Sequence, residues 1–360
     1  MWGIPLIAAS CIPWLWTKFT TPSDHCDDDT NTTTKKVNLV IDTDFFSDVD
    51  DAAALLLAAT SPHTNLLAVN INVASTYSVL AASAILAYYG KPFSEVPLGV
   101  RRPLEDKIFI DTWGFELGEY ASKVAFRYAD SDSGREGEGR GSLTWGRAED
   151  AWDPVMLYRR ILAGAEDGSV TIASIGFLEN LSGLLNTTAD GISLLAGPDL
   201  IAAKVSELVV MGGAYPSGHE FNFWGDNPLV TAHVINSWKG KIVFSGFEMG
   251  ENVLTGVDFM NQGPEDDPVR RAYFWYTYGE SRASWDPLTI LYAINGLGDM
   301  FEYRNKFGYN VVHPNGSNQW IHDEDVTNQH FLGLRVSNST AASRIDRLLL
   351  DGAQSAILRP

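Results

Sequence analysis

The chain has 360 residues, 45% of them hydrophobic, and a formal net charge of −19 at pH 7. That length allows one large α/β domain or two, and the charge argues against a nucleic-acid surface, whose phosphates would be repelled. Cys11 and Cys26 are the only cysteines, which excludes a disulfide framework and a cysteine-rich zinc site.

Residues 1–36 divide into an apolar start, Met1–Trp16, and a polar lead-in whose composition predicts disorder. The start resembles a secretory signal but has no basic residue ahead of it and no clean small-residue cleavage site. It is too short and interrupted for a membrane span. Export and a cytoplasmic location both stay open. Sequons at Asn31, Asn180, Asn186, Asn315 and Asn338 support export only weakly.

From Val37 onward strand-like and helix-like segments alternate, which predicts an α/β fold with an open, mainly parallel central sheet flanked by helices. Val37–Ile41 reads as a buried strand and the Ala/Leu-rich run after Asp51 as a helix. Leu66–Val73 is the next strand and Tyr77–Tyr89 the next helix, with Gly90 as its C-terminal cap. A short strand follows at Val96–Val100. Residues 128–147, rich in Asp, Ser, Gly, Arg and Glu, read as a mobile insertion. Pro154–Ala165 and Pro228–Trp238 read as helices; Ser169–Ile175, Glu207–Met211 and Lys241–Phe244 read as strands. Helices are expected around Val269–Tyr278 and Asp286–Ile294, a peripheral strand at Phe307–Val312 and an amphipathic helix at Ala341–Ala356. No internal repeat or interior linker appears, so residues 37–360 are expected to form a single domain.

The most informative stretch joins the first strand to the first helix. It places five carboxylates, Asp42, Asp44, Asp48, Asp50 and Asp51, within ten residues. Open α/β sheets bind ligands at such strand ends. Crowded like charges cost free energy unless a cation sits among them, and a hard divalent ion with oxygen ligands, Ca²⁺ or Mg²⁺, meets that need. Helix capping accounts for one or two of the acids. An EF-hand loop from Asp42 fails at Phe46, Ser47 and Ala53. A phosphatase-type Asp-x-Asp-x-Thr fits Asp42 and Asp44 but meets Phe46 where Thr belongs.

Asp42-Thr-Asp44 followed by Asp50-Asp51-Ala52 resembles the N-terminal signature of the inosine–uridine-type nucleoside hydrolases, Ca²⁺-dependent N-ribosyl hydrolases. Here five residues separate Asp44 from Asp50, where the commonest form has about three. Either Asp48 or Asp50 can therefore take the ribose-binding role; Asp50–Asp51, directly before the helix, is the preferred register. Further matches follow in the family's order. Asn72-Val73 resembles a ribose contact, and Ala173–Leu181 a segment whose carbonyl, mapping onto Ile175, ligates calcium. Val209–Ala214 with Glu220-Phe-Asn222 resembles the strand and turn in which Met211 packs on ribose while Glu220 and Asn222 hold its 5′-hydroxyl. The loop between is shorter than usual and lacks a second ribose-binding Asn. Trp285-Asp286-Pro287 resembles the last calcium carboxylate, with Trp where many relatives have a proton-donating His. The purine-preferring branch also has Trp there, stacked on the base.

The resemblance implies a nucleoside hydrolase fold and hydrolysis of ribonucleosides, purines preferred, to ribose and free base. It assigns Ca²⁺ to Asp44, Asp51, Asp286 and the Ile175 carbonyl, with Asp44 as general base on a calcium-bound water. A homo-oligomer, dimer or tetramer, is implied as well. Trp113 is a candidate second aromatic against the base, and Trp145 another. Two alternatives have their own residue arguments: a Mg²⁺ phosphohydrolase with Asp42 or Asp44 as nucleophile, and a binding protein without turnover on the same fold.

Overall fold

The computed structural model describes residues 36–109, 117–129 and 141–358. Its centre is an eight-stranded sheet. Five strands can be labelled in chain order: β1 (Val37–Thr43), β2 (Thr64–Ile71), β3 (Leu98–Val100), β4 (Val170–Ile175) and β5 (Val205–Met211). Across the sheet the order is Phe301–Tyr303, Gln329–Leu334, Ile242–Ser245, β5, β4, β1, β2, β3. All neighbours run parallel except the edge strand Phe301–Tyr303, which is antiparallel to Gln329–Leu334. The expected open, mainly parallel sheet is the one observed.

The central strands are apolar runs because helices cover both faces: Leu39, Val40 and Ile41 of β1 are fully buried, as is every residue of β4 at least in large part. Helix α1 (Asp50–Thr60) is buried from Asp50 to Ala59, and its Ala-rich sequence suits a helix packed on all sides. It lies against helices Trp285–Asn295 and Asn338–Ile357. Helix α2 (Thr76–Tyr88) is similarly enclosed and ends where expected: Gly90 adopts φ +73°, and Lys91 N–H bonds to the Leu86 carbonyl at 2.8 Å.

Several elements differ from expectation. The expected peripheral strand is Tyr309–Val312, and it belongs to a separate three-stranded sheet with Asn318–Ile321 and Ser217–Gly218. The edge strand Phe301–Tyr303, its neighbour Gln329–Leu334 and helix Ala121–Tyr128 had no sequence expectation. Within the expected insertion, residues 130–140 lie outside the described residues, while Leu143 is buried with its N–H on Ser83 Oγ at 2.8 Å. The N-terminal 35 residues are likewise outside the description.

Candidate active site

From β1 the chain moves outward to β2 and β3, then returns to β4 on the other side of β1. The C-terminal ends of β1 and β4 therefore bound a crevice at a topological switch point, where open α/β sheets hold ligands. In register, Thr43 faces Ile175. Gly176 lets the two ends close up: a Cβ there would lie 2.4 Å from the Asp44 nitrogen and 2.7 Å from Asp44 Oδ1. A cavity of about 520 Å³ opens over this point.

The five acids take different positions. Asp42 lies beneath the cavity, fully buried, and accepts from Tyr158 Oη at 2.8 Å, Asn72 Nδ2 at 2.8 Å and Asn180 Nδ2 at 3.2 Å. Burial pushes its carboxyl up to about 7 despite those donors. Asp44 lines the cavity and accepts from Ser47 Oγ at 2.7 Å; burial raises it to about 6. Asp51 accepts from the Thr43 hydroxyl. Asp50 accepts the backbone N–H groups of Trp285 and Asp286 at 2.9 and 3.0 Å. It thereby caps helix Trp285–Asn295, whose own N-cap Ser284 makes no side-chain cap.

Asp48 is handled differently. Arg282 donates to both of its oxygens, Nε lying 2.9 and 3.0 Å away. The lengthened loop around it is pinned from two helical segments: Tyr120 Oη donates to the Asp48 carbonyl at 2.5 Å and Tyr276 Oη to that of Ser47 at 3.0 Å. The extra residues of the acidic motif thus carry an acid that is neutralised within the chain. Asp50, Asp51 and Asp286 instead place oxygens within 4.8 Å of one another, and each is at most 5% exposed. Burial first, then repulsion from neighbouring carboxylates (Asp48 for Asp50; Asp44, Asp50 and Asp48 for Asp51; Asp50 and Asp51 foremost for Asp286), pushes all three well above the usual carboxylate range. Hard oxygen donors, dehydrated and mutually repelling, fit a divalent cation.

Met211, Glu220 and Asn222 line the same cavity. Glu220 caps the short helix Phe221–Trp224 through Oε1, which accepts Asn222 N–H at 2.9 Å, and its Oε2 accepts Gly213 N–H at 3.0 Å. Burial raises its carboxyl to about 8. Asn222 Nδ2 bonds to the carbonyl and sulfur of Met211 at 3.3 and 3.0 Å. Trp285 stacks on Phe247, centroids 5.5 Å apart, and its indole N–H donates to the Phe247 carbonyl at 2.7 Å. The Arg282 guanidinium lies 5.5 Å from the Trp285 ring centre.

The model of the family described as inosine–uridine preferring nucleoside hydrolase matches residues 39–333. The chain belongs to that family. No curated protein matches it in sequence. Among solved structures it is similar to a plant nucleoside hydrolase, PpNRh1, at 19% identity and a TM-score of 0.60, covering 88% of this chain and 98% of that one. A purine-preferring ribonucleoside hydrolase from Gardnerella vaginalis is 15% identical with a TM-score of 0.61, covering 89% and 98%. The type III effector protein XopQ, complexed with adenosine diphosphate ribose, is 12% identical with a TM-score of 0.60, covering 89% and 94%. At such identities these likenesses speak for the nucleoside hydrolase fold alone.

Within this family member, the cavity lining brings together Asp44, Asp48, Asp50, Asp51, Ile175, Met211, Glu220, Asn222, Trp285 and Asp286. Asn72 and Asp42 are not part of that lining; the Asn72 amide is turned to Asp42, and its Oδ1 is buried without a partner. The close carboxylate triple holds Asp50 where the resemblance implied Asp44. Trp113 lies outside the described residues, and Trp145 packs on Tyr77 and Phe126, away from the lining. Lining residues with no expectation from sequence are Ser47, Phe109, Ala214, His219, Phe221, Trp224, Phe247 and Arg282. None carries a signal of its own, though Ser47, Ala214, His219 and Phe221 fall inside or directly beside motifs singled out in the sequence.

Proposed function

We propose that the chain is a Ca²⁺-dependent N-ribohydrolase that cleaves purine nucleosides, in preference to pyrimidine nucleosides, into ribose and free base. The observation that carries this reading is the buried floor of Asp44, Asp50, Asp51 and Asp286 at the strand switch point, beneath a mouth lined by aromatic side chains. Asp50, Asp51 and Asp286 would hold the ion, with Asp44 and the Ile175 carbonyl beside them. When bound, the ion supplies Lewis acidity that makes a water easier to deprotonate.

The chain's own groups do the rest. Burial makes the Asp44 carboxyl more basic than a solvent carboxylate, so it suits a general base taking the proton of the attacking water. Ser47 donates to Asp44 and fixes its orientation. Loss of the base leaves positive charge on the sugar ring, and preorganised carboxylates stabilise that charge where it develops. Glu220 and Asn222, locked by backbone bonds, present polar groups to the sugar. Trp285 and Phe247 offer aromatic surface to the base, and a purine gains more from it than a pyrimidine does.

The test is a reducing-sugar assay over purine and pyrimidine nucleosides, with and without chelator. Ribose release from inosine, adenosine or guanosine that stops on chelation supports the reading. Ribose binding without turnover would select a binding protein, and phosphate release from a phosphomonoester a phosphohydrolase.

A further inference from the structure

The hydrolytic reading leaves one proton unassigned. When the C1′–N bond breaks, the electron pair stays with the base, and a purine anion is a poor leaving group unless a ring nitrogen is protonated as it departs. Asp44 takes a proton and cannot supply this one. The Trp285 indole offers no proton at usable pH. Asp50, Asp51 and Asp286 lie in the buried floor, committed to one another, and Glu220 has both oxygens engaged by backbone N–H groups.

Among the cavity-lining residues one imidazole is present, His219. It is an exposed residue at the mouth, on the side where half-buried aromatics replace buried acids. Its ring stacks on Trp224, centroids 5.5 Å apart and planes 15° from parallel. Its Nε2 lies 2.9 Å from the Asn315 carbonyl oxygen, which can only accept. Nε2 therefore carries a hydrogen in both charge states, and Nδ1 is the atom that gains and loses the second proton. The indole and the carbonyl together fix the ring of this cavity-lining residue.

We propose that His219 is the general acid for the leaving base. This rests on the hydrolytic reading above. The proton on Nδ1 passes to a purine ring nitrogen as the C1′–N bond breaks; the water oxygen bonds to C1′ and its proton goes to Asp44. Neutral base and ribose leave, and proton exchange through solvent returns Asp44 and His219 to their starting states.

The test compares inosine with para-nitrophenyl β-riboside, whose phenolate departs without protonation, in the native protein, His219→Ala and His219→Gln. The Gln amide can still donate to the Asn315 carbonyl, so it separates ring placement from proton supply. General acids of this kind contribute about 10²–10⁴-fold. Both variants should lower the inosine rate relative to the riboside rate by about a hundredfold or more, the surviving riboside turnover showing that the site is intact. An unchanged ratio in both variants overturns the assignment, as does full rescue of inosine turnover by Gln. A native protein that cleaves neither substrate in the presence of Ca²⁺ overturns the hydrolytic reading itself.

Discussion

The floor and the mouth of the cavity are built on different principles. The floor comes mainly from one contiguous stretch, Asp44 to Asp51, completed by Ile175 and Asp286. It is almost fully buried, and its charges are met by Ser47 and Thr43 hydroxyls and by backbone N–H groups at a helix start. The mouth is assembled from separate segments, around residues 109, 219–224, 247 and 282–285, and relies on ring contacts. Under the proposed reaction, the chemistry that needs fixed charge would fall to the floor and recognition of a flat base to the aromatic mouth.

Substitutions in the two regions should separate accordingly. The largest effect belongs to the floor: Asp44→Asn removes the proton acceptor and should lower kcat for inosine by about 10²–10⁴-fold. A loss below about tenfold, read by ribose release, would place the base elsewhere. At the mouth, Trp285→Ala should reduce kcat/KM by about ten- to a hundredfold for inosine, the scale of one lost stacking contact, and by less for uridine. Equal losses for both nucleosides would remove Trp285 from base selection. The smallest effect should come from Asp48→Asn, because Asp48 is paired with Arg282 and is not one of the three close carboxylates. Its turnover should stay within about tenfold of native, while Asp50→Asn loses far more. The reverse order of severity would show that the register of the acidic motif is the other one.

The same division explains what could be read from the sequence. The floor was legible because like charges crowded into one short stretch demand a physical reason, and because β1, β4 and β5 are rich in Val, Ile and Leu. The mouth was not, since His219, Phe247 and Arg282 are ordinary residues until folding brings them together. Arg282 finds Asp48 across 234 positions, and no local pattern announces such a pair. The choice between Asp48 and Asp50 stayed open for the same reason. The strand Gln329–Leu334 was missed because Gln329 and His330 interrupt its apolar character, yet it lies inside the sheet order. At Asn72 the position at a strand end was legible, but its direction was not: the side chain turns down to Asp42.

The buried acids are proposed as a divalent-cation site, and thermal unfolding of the chelated and the Ca²⁺-loaded protein as a function of pH tests this most directly. Asp42, Asp44 and Glu220 have folded-state carboxyls raised to about 7, 6 and 8. Folding then takes up protons between the ordinary carboxylate range and about pH 8, so the chelated protein should gain stability as pH falls through that window and lose it as pH rises. Asp50, Asp51 and Asp286 shift in the same direction. Calcium binds the ionised carboxylates, so its stabilisation should be largest near pH 8, about 2.7 kcal/mol at a hundred times its Kd, and shrink toward pH 5. A Tm that is indifferent to Ca²⁺ across this range, or a Ca²⁺ effect that grows as pH falls, would contradict the account.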